Sequence, residues 1–354
     1  MGFFDLFKKK AENKVPKGFV EASIKIRRLT DKAVEVAIIP TDSSQQFSFS
    51  PGQYINVLVN VNGEECRRSY SLCSSPKEGL AIGVKAIPNG KVSNWFNSTA
   101  KDGDLIYFSK PEGNFIVPST AKKIVGIVAG SGITPLLSIA KSKVANVEMS
   151  LIYGNKTPKD VMFEEELKSI ENLKIQHFYS QAEVEGARSG RIEESSLMEF
   201  IKSDLTILRS DLFLLCGPEA LVFSAKKTLN FFGVSEDKIK FELFTAPTLF
   251  VKEEKAESNF KGTSKVKVIL DQEVNTMEIQ VPGPTILESV DKAGLDAPFS
   301  CRGGVCSSCR AKVLDGKASM RVNYSLTDEE VKKGYILTCQ AHPETPELTV
   351  SFDE

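Results

Sequence analysis

The amino-acid sequence predicts a multidomain chain of three folded units. They are an antiparallel six-stranded β-barrel, a doubly wound α/β unit on a parallel sheet, and a C-terminal α+β unit. Three observations carry this expectation: short alternating strands with frequent turns in the first third, strand–helix repeats with continuously apolar strands in the middle, and a cysteine loop set among strands and one helix at the end. At 354 residues the chain is long for one core, which fits a division into units. The expected boundaries are a leader at 1–15, the barrel at 16–118, the α/β unit at 119–247, a linker at 248–263 and the cysteine-bearing unit at 264–354.

In the barrel region, Val20–Ile26 and Ala33–Ile38 alternate apolar with polar residues. Pro51-Gly52 makes a turn before the strand Gln53–Val59, Asn62-Gly63 signals a hairpin, and Leu80–Ile87 runs into the turn Pro88-Asn89-Gly90. Two stretches carry chemistry. Arg67–Leu72 places a guanidinium, an aromatic ring and two hydroxyls on one strand, with Arg68 and Tyr70 on one face and Ser69 and Ser71 on the other. An arginine can clamp a diphosphate and a tyrosine can pack on a flat ring system. Gly90-Lys91-Val92-Ser93 opens a helix over 92–100, whose first N–H groups and serine hydroxyl suit a phosphate. Taken alone, each stretch also fits ordinary strand and cap chemistry.

After Pro118 the pattern changes. Lys123–Ala129 is a continuous apolar run, as expected of a strand buried on both faces. It ends in Gly130-Ser131-Gly132-Ile133-Thr134-Pro135 and continues as the helix Leu136–Ala140, a strand, glycine turn and helix with a proline in the first helical turn. Further strands are expected at Val147–Tyr153, Lys174–Tyr179 and Asp211–Cys216, and a helix is announced by Asp160 and Phe163–Leu167. This repetition implies ligands at the strand C-termini, although the full G-x-G-x-x-G fingerprint is absent. Cys216, before Gly217-Pro218, reads by itself as a small residue ending a core strand. His177, on a core strand, and His342, beside Pro343, read as structural.

Past Phe244, Val251–Asn259 is charged and aperiodic and reads as a tether. Strands return at Lys265–Leu270 and Asn275–Val281, then a helix at Thr285–Lys292 closed by Gly294, then strands at Arg310–Leu314 and Leu348–Phe352. Between them lie Cys301, Cys306 and Cys309, separated by four and then two residues, with Cys339 following after 29 intervening residues. That is the ligand spacing of a plant-type [2Fe-2S] cluster. Gly303 and Gly304 supply backbone freedom, and the small Ser307 and Ser308 leave room for N–H groups to approach the cluster sulfides. Zinc and a disulfide pair are the alternatives; zinc knuckles favour C-x2-C pairs, of which the loop has one. Arg302, Gly303, Gly304 and Val305 have a second possible duty at a partner surface.

Composition narrows the function. A net charge of −1 argues against nucleic-acid binding, and no apolar run approaches the roughly 18 residues of a membrane span. Residues 264–354 hold ten Lys and Arg against fourteen Asp and Glu, a net −4 that leaves +3 on the rest. An acidic unit on a mildly basic body favours docking, although a random imbalance describes it as well. Seven cysteines, an odd number, together with thiolate ligands point to a reducing compartment, so a cytoplasmic location is expected. Met1–Lys10 has its charges after a short apolar stretch, the reverse of a secretory signal, and reads as a frayed helical leader or a weak surface anchor.

On these residues the chain resembles the ferredoxin–NADP reductase family. Arg68-Ser69-Tyr70-Ser71 looks like its flavin motif, and Val84-Lys85 and Gly90–Ser93 look like the segments that follow it. Gly130–Pro135, Tyr153-Gly154-Asn155 and Leu214–Pro218 look like its nucleotide-binding segments, while the tail resembles plant-type ferredoxins and their β-grasp fold. The resemblance implies FAD, with FMN less expected, bound by Arg68, Ser69, Tyr70, Ser71, Val84, Lys85, Gly90, Lys91, Val92 and Ser93. It implies NADPH or NADH bound by Gly130, Ser131, Gly132, Ile133, Thr134, Pro135, Gly217 and Pro218, with Cys216 catalytic beside the nicotinamide. Members selective for NADPH often carry Ser-Arg where this chain has Ser180-Gln181; Arg188 and Arg191 are substitutes or plain surface charges. The module order resembles reductase components of bacterial oxygenases. It implies an NAD(P)H oxidoreductase that passes electrons singly to a protein acceptor, an oxygenase component such as a di-iron oxygenase. Reductases of other hydroxylases and of fatty-acid desaturases share the layout, and a redox-sensing binding protein is the reading from a different class.

Overall fold

The computed structural model describes residues 15–45, 47–143, 147–245 and 260–354. The expected leader helix and the tether Val251–Asn259 lie outside the described residues.

Alternation builds the first unit. Its strands are β1 (Phe19–Thr30), β2 (Ala33–Pro40), β3 (Tyr54–Val61), β4 (Glu64–Ser71), β5 (Leu80–Lys85) and β6 (Leu105–Ser109). They form one antiparallel sheet in the order β4-β3-β6-β1-β2-β5. Ile24, Val36, Ile55, Val57, Ile82 and Phe108 fill its interior, and helix α1 (Lys91–Ser98) adds Val92 and Phe96. Each such fully buried side chain stabilises by about 1.5–3 kcal/mol. Asn62 and Gly63 both have positive φ, 55° and 85°, the geometry that the two-residue β3–β4 hairpin demands. The five-residue β6 carries no alternation long enough to announce itself.

The second unit has six parallel strands: β7 (Lys123–Ala129), β8 (Glu148–Asn155), β9 (Leu173–Tyr179), β10 (Arg188–Ser189), β11 (Leu212–Cys216) and β12 (Ile239–Glu242). Helices α2 (Ile133–Ser142), α3 (Glu164–Ser169), α4 (Glu194–Ser203) and α5 (Glu219–Phe231) connect them. Apolar side chains alternate between two cores: Ile124, Val128 and Leu214 face α2 and the barrel, while Val125, Ile127, Phe213 and Leu215 face α4 and α5. The strand order β10-β9-β8-β7-β11-β12 reverses direction beside β7. The crevice at the C-terminal ends of β7 and β11 is therefore the switch point where such sheets take ligands.

The third unit contains β13 (Gly262–Leu270), β14 (Glu273–Val281), α6 (Ile286–Lys292), β15 (Arg310–Asp315), β16 (Ala318–Met320), α7 (Asp328–Lys332), β17 (Tyr335–Leu337), β18 (Ala341–Pro343) and β19 (Glu347–Ser351). Its mixed sheet, β14-β13-β19-β15-β17, has β13 and β19 parallel, and α6 packs Ile286, Leu287 and Val290 into the core. This is the expected β-grasp arrangement. A capping box between Thr285 and Glu288 starts α6, and Gly294, at φ 75°, follows its end. Among the described residues no helix is long and apolar enough to cross a membrane.

One glycine ties the second unit together. A Cβ on Gly132 would lie 2.2 Å from the Cys216 carbonyl oxygen, backbone that has no room to move. Gly132→Ala is expected to cost at least about 2 kcal/mol of stability in denaturant unfolding, with weaker nucleotide binding in whatever protein folds.

Candidate functional site

The switch-point crevice is built from two turns. Gly130–Gly132 forms a single 3₁₀ turn leading into α2, and Gly217, at φ 150°, leaves β11 close against Ala129. Gly130 and Ser131 stay partly accessible, Gly217 is half-buried and Pro218 exposed, whereas Ile133, Thr134 and Pro135 are buried. Those three shape the crevice through packing: the Thr134 hydroxyl donates to the Ser131 carbonyl at 3.0 Å, and its methyl group meets the backbone of Gly83. The Lys85 ammonium approaches Gly130 from the barrel, and the buried carboxamide of Asn155 makes no hydrogen bond. Positive charge, a helix N-terminus and an unsatisfied amide at one edge fit a pyrophosphate and ribose ligand. Arg188 is drawn away, stacked on Phe200 at 5.0 Å beside Glu199, while Arg191 is exposed. His177 stacks on Tyr179 at 5.5 Å, and burial pushes its imidazole toward the neutral form.

Cys216 ends β11 fully buried, and burial pushes its thiol well above the ordinary range, so it stays neutral. Its register partner on β12 is Glu242, a residue the sequence reading missed. The Ser71 hydroxyl of the barrel donates to the Glu242 carboxylate at 2.7 Å. Burial raises that carboxyl to about 7, partly offset by the serine. Ser71, Cys216 and Glu242 thus meet where barrel and nucleotide unit join. Nothing in the local pattern of Ile239–Glu242 marks the glutamate, because its partner lies on another unit.

Along β4 the side chains alternate as expected. Tyr70 turns toward the barrel and packs edge-on against Phe96 at 6.1 Å, while the exposed Arg68 guanidinium rests on the Arg67 carbonyl. Val84 and Val92 are wholly in the barrel core, leaving only their backbone for a ligand. A Cβ on Gly90 would lie 2.4 Å from Ser93 Oγ, so glycine lets that loop close over the uncapped start of α1. Ser93 donates to the Gly90 carbonyl, and Lys91 pairs with Glu64 at the surface. An aromatic ring, an exposed guanidinium and an uncapped helix start suit a flavin and its phosphates. Ser69 departs from the expected flavin set: its hydroxyl is committed to Asn56 and Ser300, because the pleat points it away from Tyr70.

The four cysteines of the third unit stand as two pairs. Cys306 Sγ donates to Cys301 Sγ at 3.1 Å, which with the Gly303 and Val305 N–H groups brings the Cys301 thiol down to about 6. Cys309 lowers Cys339 in the same way, aided by the Gly304 N–H and Gln340. Among the described residues no three such side chains group around one ion. Two thiol pairs with loop amides aimed at sulfur fit a dinuclear iron–sulfur cluster, whose two irons each take a pair, better than a tetrahedral zinc. The positive φ of Arg302 and Gly304, 52° and 74°, curls the loop.

That loop faces inward. Ser300 meets Ser69 at 2.8 Å, the Ser307 N–H donates to the Tyr54 hydroxyl at 3.0 Å, and Ser308 donates to Asn56 at 3.2 Å. Val305 packs against the nucleotide unit. Gly303 and Gly304 are buried, and Arg302 pairs with Asp291 and lies over Phe299. The expected duty of Gly303, Gly304 and Val305 at a partner surface is therefore corrected: both glycines are buried, Gly304 beneath Val322 and Gln340 of its own unit, and Val305 packs on the nucleotide unit. The Ser307 amide is likewise committed to the Tyr54 hydroxyl. Among the described residues, the ion pairs Lys17–Asp271 and Arg67–Asp296 between body and ferredoxin-like unit put the base on the body and the acid on the module.

The geometry defines a flavin- and nucleotide-binding reductase fused to an iron–sulfur module. Family models agree: an oxidoreductase FAD-binding domain matches residues 24–116, an oxidoreductase NAD-binding domain 127–227, and a 2Fe-2S iron-sulfur cluster binding domain 268–344. The chain belongs to the ferredoxin–NADP reductase family, in the arrangement with a C-terminal plant-type [2Fe-2S] ferredoxin domain. It is 32% identical to a component of the 1,2-phenylacetyl-CoA epoxidase of Escherichia coli, over 93% of this chain and 96% of that one. It is 29% identical to the ferredoxin reductase component of the 3-ketosteroid-9-alpha-monooxygenase of Mycobacterium tuberculosis, over 92% and 93%. Among solved structures, phthalate dioxygenase reductase superposes with a TM-score of 0.59 at 25% identity, over 95% of this chain and 98% of that one. The protein is an NAD(P)H oxidoreductase that uses FAD and a [2Fe-2S] cluster.

Glu242 gives a pH signature. Its folded value of about 7 exceeds the ordinary 4.5, so the native protein holds a proton that the unfolded chain releases. Stability from this group is full below pH 4.5 and is lost as pH rises through 7. Glu242→Gln removes the titration, and its stability is expected to gain on wild type by up to about 3 kcal/mol above neutrality. Thermal unfolding of both proteins from about pH 5 to pH 9 checks this.

Proposed function

We propose that the chain delivers electrons from NAD(P)H through FAD and then the cluster, one at a time, to an oxygenase, and that this oxygenase is the di-iron phenylacetyl-CoA epoxidase. The observation that carries the order is the seating of the cysteine loop on β3 and β4, the back of the strand bearing Arg68 and Tyr70. When bound, the nicotinamide supplies two electrons as hydride, and the flavin and cluster release them singly. The chain's own residues align and insulate. Cys216, small and neutral, walls the crevice without competing as a nucleophile. Glu242 and Ser71 hold a hydrogen bond across the seam, and Lys85 and the α2 start take the phosphates. The acceptor reading draws on the 32% identity to the epoxidase component. It entails a role in phenylacetate catabolism and a cytoplasmic location, where thiolate ligands stay reduced. A reductase for another hydroxylase or a desaturase is the alternative.

Cytochrome c and ferricyanide reduction with NADH and with NADPH test the reading; rapid multiple turnover is expected, and none by flavin- and cluster-loaded protein overturns it. Cys309→Ser is expected to abolish cytochrome c reduction and leave ferricyanide reduction, since the flavin lies upstream; equal loss of both in a flavin-replete variant contradicts that order. Cys216→Ala is expected to slow flavin reduction about tenfold at saturating nucleotide, read by stopped flow. Product formation from phenylacetyl-CoA with the purified oxygenase part of the epoxidase checks the acceptor.

A further inference from the structure

The contact between the flavin strand and the cysteine loop turns on a residue outside every motif. Asn56 sits on β3 opposite Ser69 of β4 and is 4% exposed. Its Oδ1 accepts from Ser69 Oγ at 2.7 Å and from Ser308 Oγ, next to Cys309, at 3.2 Å. Its backbone N–H is fixed by Ser109 Oγ at 3.0 Å. Because Ser69 spends its proton on Asn56, Ser300 must supply the proton of the 2.8 Å contact with Ser69, next to Cys301. Protons therefore run from Ser300 to Ser69 to Asn56, and from Ser308 to Asn56. One carboxamide oxygen ends both chains, and each begins beside a different thiol pair.

We propose that Asn56 is a positioning residue for electron transfer between flavin and cluster, its oxygen clamping the cysteine loop onto the flavin strand. The proposal rests on the flavin-to-cluster order given above. Each event moves one electron from reduced flavin to oxidised cluster, and two events discharge the pair that one hydride brings. Asn56 takes no part in the chemistry. It holds the donor and acceptor units in one register, buried where its loss removes the one acceptor that Ser69 and Ser308 share. A neighbouring pair of contacts, Ser307 to Tyr54 and Arg67 to Asp296, flanks the clamp without sharing its oxygen.

The test compares Asn56→Ala, Ser308→Ala and the double variant in the full cofactor-loaded chain. Stopped flow with excess NAD(P)H reads flavin bleaching and cluster reduction separately. In Asn56→Ala, cluster reduction is expected to slow about tenfold with flavin reduction and ferricyanide turnover unchanged. Amide hydrogen exchange supplies a readout independent of turnover: faster exchange is expected in peptides covering 296–309 and 64–71, with 262–281 unchanged. Adding Ser308→Ala to Asn56→Ala is expected to change little, since both remove one shared contact. Asn56→Asp, which keeps the acceptor oxygen, is expected to restore protection of 296–309. Unchanged exchange and cluster reduction in Asn56→Ala overturn the clamp, as does exchange rising throughout the barrel with ferricyanide turnover lost, the mark of a merely structural residue. If wild type itself reduces the cluster no later than the flavin, the electron order fails and the clamp proposal falls with it.

Discussion

The pleat of β4 is the constraint on which the arrangement depends. Successive side chains of a strand point to opposite faces, so Arg68 and Tyr70 go one way while Arg67, Ser69 and Ser71 go the other. The first face suits a flavin. The second meets both remaining units: Arg67 and Ser69 reach Asp296 and Ser300, and Ser71 reaches Glu242. A slip of one residue would exchange the faces and separate all three units. The tight Asn62-Gly63 hairpin prevents it by setting Tyr54 against Ser71 and Asn56 against Ser69.

Charge is distributed to suit chemistry that moves electrons and hydride but few protons. At the nucleotide seam burial works against charge: it keeps the Cys216 thiol neutral and raises the Glu242 carboxyl to about 7, where it is half protonated at neutral pH. The cysteine loop does the opposite. There each pair has one thiol lowered by its neighbour and by backbone N–H groups, ready to bind metal as thiolate. Between these zones the contacts are mostly hydroxyl and amide, with Arg67–Asp296 a charged pair at the edge. Such hydrogen bonds fix orientation while placing no charge beside the cluster.

Much of the fold was legible because its signals act over short spans. The apolar run of β7 matched its observed limits, and the glycine turn after it announced both turn and helix. Short elements were not legible: β6, β10 and β16–β18 have too few residues for a period to emerge. The site divides the same way. The cysteine spacing named four side chains that stand as two pairs, yet Ser69, expected from the flavin motif, is occupied by docking, and Gly303 to Val305, expected at a partner surface, are covered.

Sequence alone determined the three units, their order and the chemistry each is equipped for, since ligand spacing, glycine turns and strand alternation are properties of neighbouring residues. Only the tertiary structure decided how the units meet. Ser71 and Glu242 are 171 residues apart, and Asn56 and Ser308 are 252 apart. No periodicity links positions so distant. Their hydrogen bonds exist because three separately folded cores pack with the back of one strand between them.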